Sequence, residues 1–391
     1  MRLHLLGLPH TITRAEYSHC AFTGKIQRFS PMMRGRGYHV THYGVEGAAS
    51  GANEQIAVLE HGEWEYIKRC SRAGLGMALE REGDFVGDLA RTDSLLYRVY
   101  NAKLRELLRG IPAEDIICLP FGHAHQAAVI GLPNQLVETG IGYHQTFTQN
   151  RVFESYAWQA YRLGHDGEQG HDYTWVIPNY YDLDEWPEGD GSGGYLLFFG
   201  RICQVKGLDV IREIAKRRPR ERFLLCGQGD PTPWLAHNVE AVPPVHGRDR
   251  ARILGAAKAI LAPSRYLEPF CGSVVEAALC GTPAITSNHG AFGETVVHNE
   301  TGYRCNTLAD WLDAVDRLGE LDRRRTRCRA RRFYDMHTLS HKYDKVFRQV
   351  DALRRDGWFA GAAEAGMCEG DVRNGSRATD RAPRGVDRIE A

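Results

Sequence analysis

Short apolar runs alternate with longer stretches of helical period through the first half of the chain. The opening run RLHLLGL predicts a buried strand, residues 15–37 a helix with a kink at Pro31, and YHVTHYG the next strand. Three further apolar runs follow, in the segments DIICLPFG, LVETGIGYH and TWVIPN. This order predicts a parallel sheet that has helices on both faces.

A second alternation of strands and helices begins at residue 195. Its apolar runs are YLLFFGR, RFLLCGQGD, AKAILAPS and PAITSN. The segment 180–194 is rich in proline, glycine and acidic residues, so we interpret it as a linker. The pattern therefore predicts an α/β protein with two doubly wound, Rossmann-like parallel-sheet domains, residues 1–179 and 195–335.

The C-terminal part of the chain divides into a helical stretch and a polar tail. Residues 336–356 are predicted to form a helix that packs back toward the N-terminal domain. Residues 357–391 lack apolar periodicity, and we expect them to be mostly disordered.

Composition and charge narrow the class of protein. The 391 residues suit two domains, and 43% hydrophobic with 25% charged residues is typical of a soluble globular chain. The 49 basic and 49 acidic residues give no overall attraction to nucleic acid or membranes. The ten cysteines are scattered without paired spacing, which indicates reduced thiols rather than disulfides or a zinc site. The N-terminal apolar run is too short for a signal peptide, so we expect a cytoplasmic protein.

The stretch EPFCGSVVE places Glu268 and Glu276 on either side of a predicted helix start. Pro269 and Gly272 indicate that Glu268 closes a loop, whereas SVVEAALCG begins a helix. A helix N-terminus presents unpaired N–H groups and a positive dipole, which suit a phosphate or another anion. The two carboxylates would then bind hydroxyls of the same ligand. A sugar nucleotide has this chemistry, because its diphosphate lies between two hydroxyl-bearing rings.

A second candidate for phosphate binding follows the strand YLLFFGR. Gly200 and Arg201 end this strand, and Lys206 and Gly207 precede the next helix. Glycine lets a backbone approach a ligand, while arginine and lysine supply charge-assisted hydrogen bonds to phosphate. Loops between strands and helices often carry glycine and a solvated lysine, so this motif alone is weak.

The order of the motifs resembles that of a known enzyme family. From Val176 to Tyr303 the chain contains, in order, VIPNYYDLDEW, FFGRICQVKGLDV, LLCGQGD and VHGRDRARILGAAKAILAPSRYLEPFCGSVVEAALCGTPAITSNHGAFGETVVHNETGY. This set resembles the nucleotide-binding half of the retaining family 4 glycosyltransferases (glycosyl transferases group 1). The resemblance implies the GT-B fold, in which the two Rossmann-like domains face each other across a cleft. The first half resembles the family more loosely, through GRGYHVTHYG and YHQTF. The resemblance implies a hexosyltransferase-type enzyme that moves a sugar from a nucleotide-sugar donor to a hydroxyl acceptor, whose identity the sequence leaves open.

The resemblance also implies how the donor is bound. Arg201 and Lys206 would bind the diphosphate, Glu276 the ribose, and Glu268 would lie against the transferred sugar. The other implied donor contacts come from loop glycines, backbone groups and one histidine around the nucleotide: Gly200, Gly227, His246, Gly247, Phe270, Cys271 and Gly272.

For the first domain, the resemblance places Gly7 and His10 in a loop near the diphosphate or the acceptor. His144 would face the reacting sugar. The family transfers the sugar with retention of its anomeric configuration and without a metal or other cofactor, so cations would stabilise the departing diphosphate electrostatically. The implied catalytic set is Glu268, Arg201, Lys206 and His144.

Two stretches raise the alternative of a metal site. DLD at Asp182–Asp184 resembles the metal-binding D-x-D of the other large glycosyltransferase fold, but it lies where the linker begins. His123 and His125 share one side of an extended segment and His144 could join them, although no carboxylate or cysteine follows at ligand spacing. Packing or acceptor contacts are the commoner meaning of these histidines, and we expect no metal.

Three other stretches carry weaker alternatives. GQGDPT is similar to a dinucleotide-binding fingerprint but lacks its third glycine, so it is only weak support for an NAD-dependent enzyme. Residues Arg323 to Arg332 include seven arginines that could contact an anionic membrane or nucleic acid, although a solvated helix face is commoner. In the polar and aromatic segment after the first strand, Tyr17, His19 or Lys25 is slightly favoured for acceptor contact.

Two other functions stay open from the sequence. A sugar-nucleotide epimerase or hydrolase of similar fold would bind the donor but need no acceptor. A nucleic-acid-binding protein that uses the arginine run would be a different class, with a modified base as its sugar acceptor.

Overall fold

The first domain is built around a seven-stranded sheet. Its strands are β1 Arg2–Leu6, β2 His39–Val45, β3 Glu54–Leu59, β4 Ile116–Leu119, β5 Gln135–Ile141, β6 Asn150–Phe153 and β7 Thr174–Val176. In the computed structural model all neighbouring strands pair in parallel, in the order β3-β2-β1-β4-β5-β6-β7. The order reverses between β1 and β4, where the connections that follow these two strands diverge.

The second domain repeats this plan with six strands. These are β8 Tyr195–Phe199, β9 Arg222–Cys226, β10 Val239–Val242, β11 Ala259–Ala262, β12 Ala284–Ser287 and β13 Gly302–Cys305. They also pair in parallel, in the order β10-β9-β8-β11-β12-β13, with the reversal between β8 and β11. The predicted pair of doubly wound parallel-sheet domains is confirmed.

Helices connect the parallel strands. In the first domain they are α1 Ala21–Gly35, α2 His61–Ala73, α3 Leu95–Leu108, α4 Gln126–Val129 and α5 Tyr156–His165. In the second domain they are α6 Leu208–Arg217, α7 Gly247–Ala256, α8 Gly272–Leu279, α9 Phe292–Thr295, α10 Leu308–Asp316 and α11 Arg323–Tyr334. The last helix, α12, spans Met336–Asp356. Pro31 lies inside α1, as the sequence indicated.

Alternation along the central strands explains why the second domain has helices on both faces. In β8, Leu197 belongs to the core on one face of the sheet, while Leu196 and Phe198 belong to the core on the other. Strand β9 divides in the same way, with Leu224 on the first face and Phe223 on the second. Because successive side chains of a strand point to opposite faces, a continuous apolar run requires cover on both sides.

Four strands were not predicted from the sequence: β3, β6, β10 and β13. Three of them are edge strands of their sheets. The edge strand β3 exposes three of its six residues, and the interior strand β6 buries the polar residues Asn150 and Arg151. Their short or mixed-polarity sequences therefore lack the apolar run that marked the other strands.

The segment 180–194, predicted to be a linker, packs along the second domain. Its backbone N–H groups at Gly189 and Gly191 donate to the carbonyls of Cys280 and Gly255, at 2.9 and 3.0 Å. A side chain at Gly189 would place its Cβ 2.2 Å from the Cα of Gly255. The glycines of this segment therefore permit contact with α7 and the end of α8 rather than only a flexible connection.

Residues Met1–Asp344 form one compact unit, which contains both sheets, and a second unit begins at Lys345, within α12. The beginning of α12 belongs to the first unit. There, the ring of Tyr343 packs edge-on against Phe29 of α1 at 5.3 Å between centroids, and Tyr38 donates a hydrogen bond to Asp344 at 2.8 Å. The start of α12 thus lies against the first domain.

The structure describes residues 1–18, 20–73, 91–168 and 172–356. The predicted tail 357–391 and His19 lie outside these residues. Within the described ranges, nine cysteines are free thiols. None of the helices in those ranges combines the length and the apolarity that crossing a bilayer requires.

Candidate active site

A buried ion pair joins the loops that follow β8 and β11. Lys206 Nζ lies 2.7 Å from Glu268 Oε1 and donates to the hydroxyl of Tyr266 at 2.7 Å. Glu268, only 3% exposed, also accepts from the hydroxyls of Tyr266 and Ser264. Burial would lower the pKa of Lys206, but the charge of Glu268 outweighs it and raises the pKa above its usual value. The ammonium therefore stays charged and fixed in direction.

Gly207 is what allows these two loops to meet. Its φ is +73°, and a Cβ there would lie 1.9 Å from the carbonyl oxygen of Pro263. A residue with a side chain would force the loop after β8 away from the loop after β11. The glycine that follows Lys206 thus places its ammonium on Glu268. Ligands of doubly wound sheets bind where the strand order reverses, as it does between these two strands.

The N-terminus of α8 lies directly after this pair, as the sequence predicted. Phe270 is buried, and Cys271 precedes the helix with a left-handed φ of +64°. Burial, with the charge of Glu268, raises the pKa of the Cys271 thiol to about 12, so it is protonated at neutral pH and unsuited to act as a nucleophile. Gly272 begins the helix, and a Cβ there would lie 3.0 Å from the hydroxyl of Tyr181. This helix end therefore has backbone donors and a positive dipole for an anion.

A second buried carboxylate, Glu276, lies within α8. It is 4% exposed and forms an ion pair with Arg250 of α7. The Arg250 guanidinium also packs over the ring of Phe199 at 4.9 Å, at the end of β8. Its Nε atom is buried and has no hydrogen-bond partner among the described residues. Arg250 thus adds a cation to the site that the sequence analysis did not assign.

The loops after β8 and β9 contact each other through backbone. Gly200 N donates to Cys226 O at 3.0 Å, and a Cβ on Gly227 would lie 1.8 Å from Gly200 O. Gly227 is therefore required by this close approach. Next to these loops, the side chain of Arg201 is exposed.

The start of α7 carries two further residues of the implied donor contacts, His246 and Gly247. His246 immediately precedes the helix, and Gly247 is its first residue with φ +53°. Both residues are exposed. Partial burial, with the charge of Arg250, lowers the pKa of His246, which favours a neutral ring. The two residues are thus accessible to a ligand near Arg250.

In the first domain, Gly7 lies at the end of β1 against β2. Its N–H donates to Tyr43 O at 2.6 Å, and a Cβ there would lie equally close to that oxygen. The hydroxyl of Tyr100 donates to Gly7 O at 3.1 Å. Packing between the two strand ends therefore already requires glycine here. His10 is buried farther along the loop, where its Nδ1 forms a hydrogen bond with the hydroxyl of Tyr97 at 2.9 Å. This contact attaches the loop to α3.

His144, in the loop after β5, is exposed and stacked. Its ring lies 5.1 Å from that of Trp158 and 6.0 Å from that of Tyr161, both on α5. Together with Arg162 and His165 it lines a cavity of about 750 Å³. Partial burial, then the charges of Arg162 and His165, lower the pKa of His144, so its ring is neutral at pH 7. A neutral ring can accept or donate a hydrogen bond to a hydroxyl.

An apolar contact connects the loop of Glu268, in the second domain, with the surroundings of His144, in the first domain. Leu267, the neighbour of Glu268, packs against a first-domain cluster that includes Ile141, Phe153 and Trp158. Trp158 in turn holds the ring of His144. The loop of Glu268 therefore contacts the same apolar cluster that contacts the ring of His144.

The alternative metal residues have other contacts. Asp182 accepts a hydrogen bond from Asp184 N at 3.0 Å and so caps the short helix Leu183–Glu185. His125 is buried, and its Nδ1 bonds the side-chain oxygen of Asn101 at 3.0 Å. In the described part of the chain, no group of three or more histidine, cysteine or acidic side chains is arranged to hold a metal ion.

The expectation of acceptor contact by Tyr17 or Lys25 is wrong, because both side chains are buried. Tyr17 is 3% exposed and packs edge-on against Trp64. Lys25 is 4% exposed and pairs with the buried Glu154.

The arginine run forms α11, and two of its members donate hydrogen bonds to backbone carbonyls. Arg323 donates to Gly255 O at 2.7 Å and to the hydroxyl of Thr282 at 2.8 Å. Arg327 donates to Trp186 O at 2.8 Å. These two arginines attach α11 to the second domain, whereas Arg324 and Arg325 are exposed. The run is therefore partly a packing element rather than a continuous cationic surface.

Comparison with known proteins agrees with this geometry. Residues 193–320 match the model of a family described as glycosyl transferases group 1. Glycogen synthase from Mycobacterium tuberculosis is 34% identical over 147 residues, 33% of this chain and 35% of that protein. D-inositol 3-phosphate glycosyltransferase from Pseudarthrobacter chlorophenolicus is 30% identical over 143 residues, 32% of this chain and 34% of that protein. The chain thus spans about a third of the length of these curated relatives.

Solved structures extend the likeness to both domains. Sucrose-phosphate synthase from Thermosynechococcus elongatus superposes with a TM-score of 0.65 at 16% identity, covering 90% of this chain and 99% of that one. Anabaena HepE, solved in complex with UDP-glucose, superposes with a TM-score of 0.64 at 15% identity, covering 89% of this chain and 100% of that one. These structures share the fold, and they confirm the predicted GT-B arrangement.

Proposed function

Because residues 193–320 match the model of the glycosyl transferases group 1, we propose that the chain moves a sugar from a nucleotide-sugar donor to a hydroxyl acceptor. We further propose that the transfer retains the anomeric configuration and needs no metal ion. The observation that carries the proposal is the buried Lys206–Glu268 pair beside the N-terminus of α8. It combines a fixed cation, a hydroxyl-binding carboxylate and backbone donors at one point.

The donor would bind across this point. Its diphosphate would lie between the Lys206 ammonium, the exposed Arg201 and the first turn of α8, where charge and dipole favour an anion. Glu268 would accept hydrogen bonds from hydroxyls of the transferred sugar. Glu276 would accept those of the ribose, next to Arg250.

Catalysis would follow from where charge develops. As the bond between the anomeric carbon and the phosphate oxygen breaks, negative charge grows on the diphosphate, and the fixed cation Lys206 stabilises it most at that moment. The acceptor oxygen would form its bond to the anomeric carbon on the same face. Its proton would pass to the departing phosphate oxygen, so no separate protein base is required. The neutral ring of His144 would orient the hydroxyls on the first-domain side.

The acceptor would approach from the first domain. The cavity beside His144 is lined by hydroxyl-binding groups that include Gln145 and Thr146, which suits a polar, hydroxyl-bearing molecule.

The proposal is tested by product analysis. UDP-glucose, the ligand of Anabaena HepE, is the first donor to assay, followed by a panel of other nucleoside diphosphate sugars. We expect release of nucleoside diphosphate only when a sugar or polyol acceptor is added, and a product with the anomeric configuration of the donor by NMR. Equal release without acceptor would indicate a hydrolase or epimerase instead. Salt-sensitive transfer of the sugar to a nucleic-acid base would instead support the alternative of a nucleic-acid-binding protein.

Metal independence gives a separate prediction. Because Lys206 and Arg201 supply the positive charge, activity should persist in an excess of EDTA. Loss of activity on chelation, with recovery on adding manganese or magnesium, would contradict it and direct attention back to Asp182 and Asp184.

A further inference from the structure

The N-terminus of α5 in the first domain is occupied by a carboxylate from the second domain. Tyr156 N and Ala157 N donate to the two carboxylate oxygens of Glu294, at 3.0 and 2.8 Å. These N–H groups open the helix and have no partner within it. The side chain of Ser155 accepts from Trp158 N at 3.1 Å. The cap of α5 is therefore shared between one side chain of each domain.

Glu294 follows a segment that is hydrogen-bonded to the backbone of Glu268. It belongs to the short helix α9, and Ala291 N, just before this helix, donates to Glu268 O at 3.0 Å. Gly290 has φ +63°, and a Cβ there would lie 2.9 Å from Glu268 N. The segment that carries Glu294 thus packs backbone to backbone on the residue predicted to contact the transferred sugar.

Helix α5, on the first-domain side of the contact, also packs against His144. Helix α5, which Glu294 caps, carries Trp158 and Tyr161, and their rings hold the ring of His144. A continuous path of contacts therefore runs from Glu268, through Glu294 and α5, to His144.

We propose that Glu294 is a positioning residue that aligns the His144 side of the site with the Lys206–Glu268 side. The kinetic effect expected from this role rests on the proposed transfer reaction. The nucleotide contacts assigned to Lys206 and Glu276 lie within the second domain and do not depend on Glu294. Its loss should therefore reduce turnover and leave nucleotide affinity unchanged.

The first test is kinetic. Glu294→Ala should lower kcat about tenfold or more, since displacement of a reacting group by about 1 Å can cost a hundredfold in rate. Affinity for nucleoside diphosphate, measured by calorimetry, should stay within about twofold, as expected for a contact outside the nucleotide site. Glu294→Gln keeps one acceptor oxygen and should recover part of kcat. The matched control is Glu240→Ala, because Glu240 is exposed and pairs with Arg222 within the second domain.

The second test does not require activity. Hydrogen exchange at the Tyr156 and Ala157 amides should be faster in Glu294→Ala than in wild type and unchanged in Glu240→Ala. Unchanged exchange in Glu294→Ala would overturn the inference, as would wild-type kcat or parallel losses of kcat and nucleotide affinity. If the wild type shows no transfer but the exchange result holds, the proposed function fails while the contact between the domains stands.

Discussion

Lys206 and Glu268 hold each other through a charge-assisted hydrogen bond, so both are oriented before a donor binds. Glu276 is held in the same manner by Arg250. The two carboxylates therefore lie eight positions apart in the sequence but have different cationic partners. We expect them to respond differently when they are truncated.

Glu276→Ala should weaken nucleotide sugar and free nucleoside diphosphate alike, by about 1.5 to 3 kcal/mol, because both ligands carry the ribose. Glu268→Ala should preserve or raise nucleoside diphosphate affinity, since it frees the Lys206 ammonium for the diphosphate. Its turnover should fall about a hundredfold, because a sugar contact that is strongest in the transition state is lost. Calorimetry and turnover measured on both variants make the comparison. Equal losses of nucleotide affinity would show that ribose and sugar are not divided between these carboxylates.

The buried pair of Lys25 and Glu154 in the first domain has a different role. Lys25 Nζ also donates to Gly140 O at 2.8 Å, at the end of β5, and Glu154 immediately follows β6. The pair thus ties α1 to the ends of two strands. Taking two charges out of water is costly, and such a pair is stable only while both partners are present.

Glu154→Gln should therefore lower the free energy of unfolding by about 3 to 5 kcal/mol, because it leaves a buried ammonium without its counter-charge. The double variant Lys25→Met with Glu154→Leu should lose less, since neither charge remains. Urea unfolding of the single and double variants measures both. A double variant less stable than Glu154→Gln would mean that the pair contributes packing rather than charge compensation.

Residues of the site differ in how far the sequence could predict them. Glu268 and Lys206 were recognisable as loop residues because Pro269 and Gly207 follow them. Arg250 was not, because GRDRAR offers three arginines and only the packing of α7 against α8 selects one of them. Glu294 was also missed, since its partners are backbone N–H groups 138 and 137 positions away.

At the scale of elements, the first domain buries histidines around the ends of β1 and β2. Burial lowers the pKa of His10 to about 4 and that of His42 to about 3. The pKa of His125 is also lowered to about 3, by burial and then by the neighbouring His10 and His123. All three rings are therefore neutral in the folded protein at pH values where the unfolded chain would bind protons.

This difference predicts acid sensitivity. Below about pH 6.5 the unfolded chain takes up a proton on each histidine and the folded chain does not, so stability falls as pH falls. Each histidine contributes about 1.4 kcal/mol per pH unit, until its folded pKa near 3 or 4 is reached. Urea midpoints between pH 7 and 5 measure the slope, and His42→Asn should reduce it by at most about 1.4 kcal/mol per pH unit, since one such group is removed. A midpoint that does not change over this range would contradict the prediction.

The elements themselves were predictable to different degrees. Central strands such as β8 carry apolar residues on both faces, which is a strong signal in the sequence. Edge strands such as β3 and β10 bury only some of their residues, so their sequences are mixed and were not recognised. The helix start at Gly272 was predictable because Pro269 and Gly272 mark the end of the loop, whereas the left-handed backbone of Cys271 was not.

At the scale of the whole molecule, each sheet reverses its strand order at one point, and Gly7, Lys206 and Glu268 follow the strands β1, β8 and β11 that lie at these points. The two-domain plan was predictable because apolar runs recur at regular intervals in both halves of the chain. The contacts of Leu267 and Glu294 with the first domain were not, because each depends on a surface that only the folded first domain provides.

These two contacts bear on whether the domains move. A ligand shifts a conformational equilibrium only by the difference in its affinity for the two states, so a donor that touches both domains favours the state in which they meet. We therefore expect small-angle scattering to show a smaller radius of gyration with saturating nucleoside diphosphate sugar than without ligand, through closure over the site. Glu294→Ala should be more expanded without ligand and compact less on binding, whereas Glu240→Ala should behave as wild type. A wild-type radius that does not change at saturation would contradict closure, and it would mean that Leu267 and Glu294 already hold the domains together before the donor arrives.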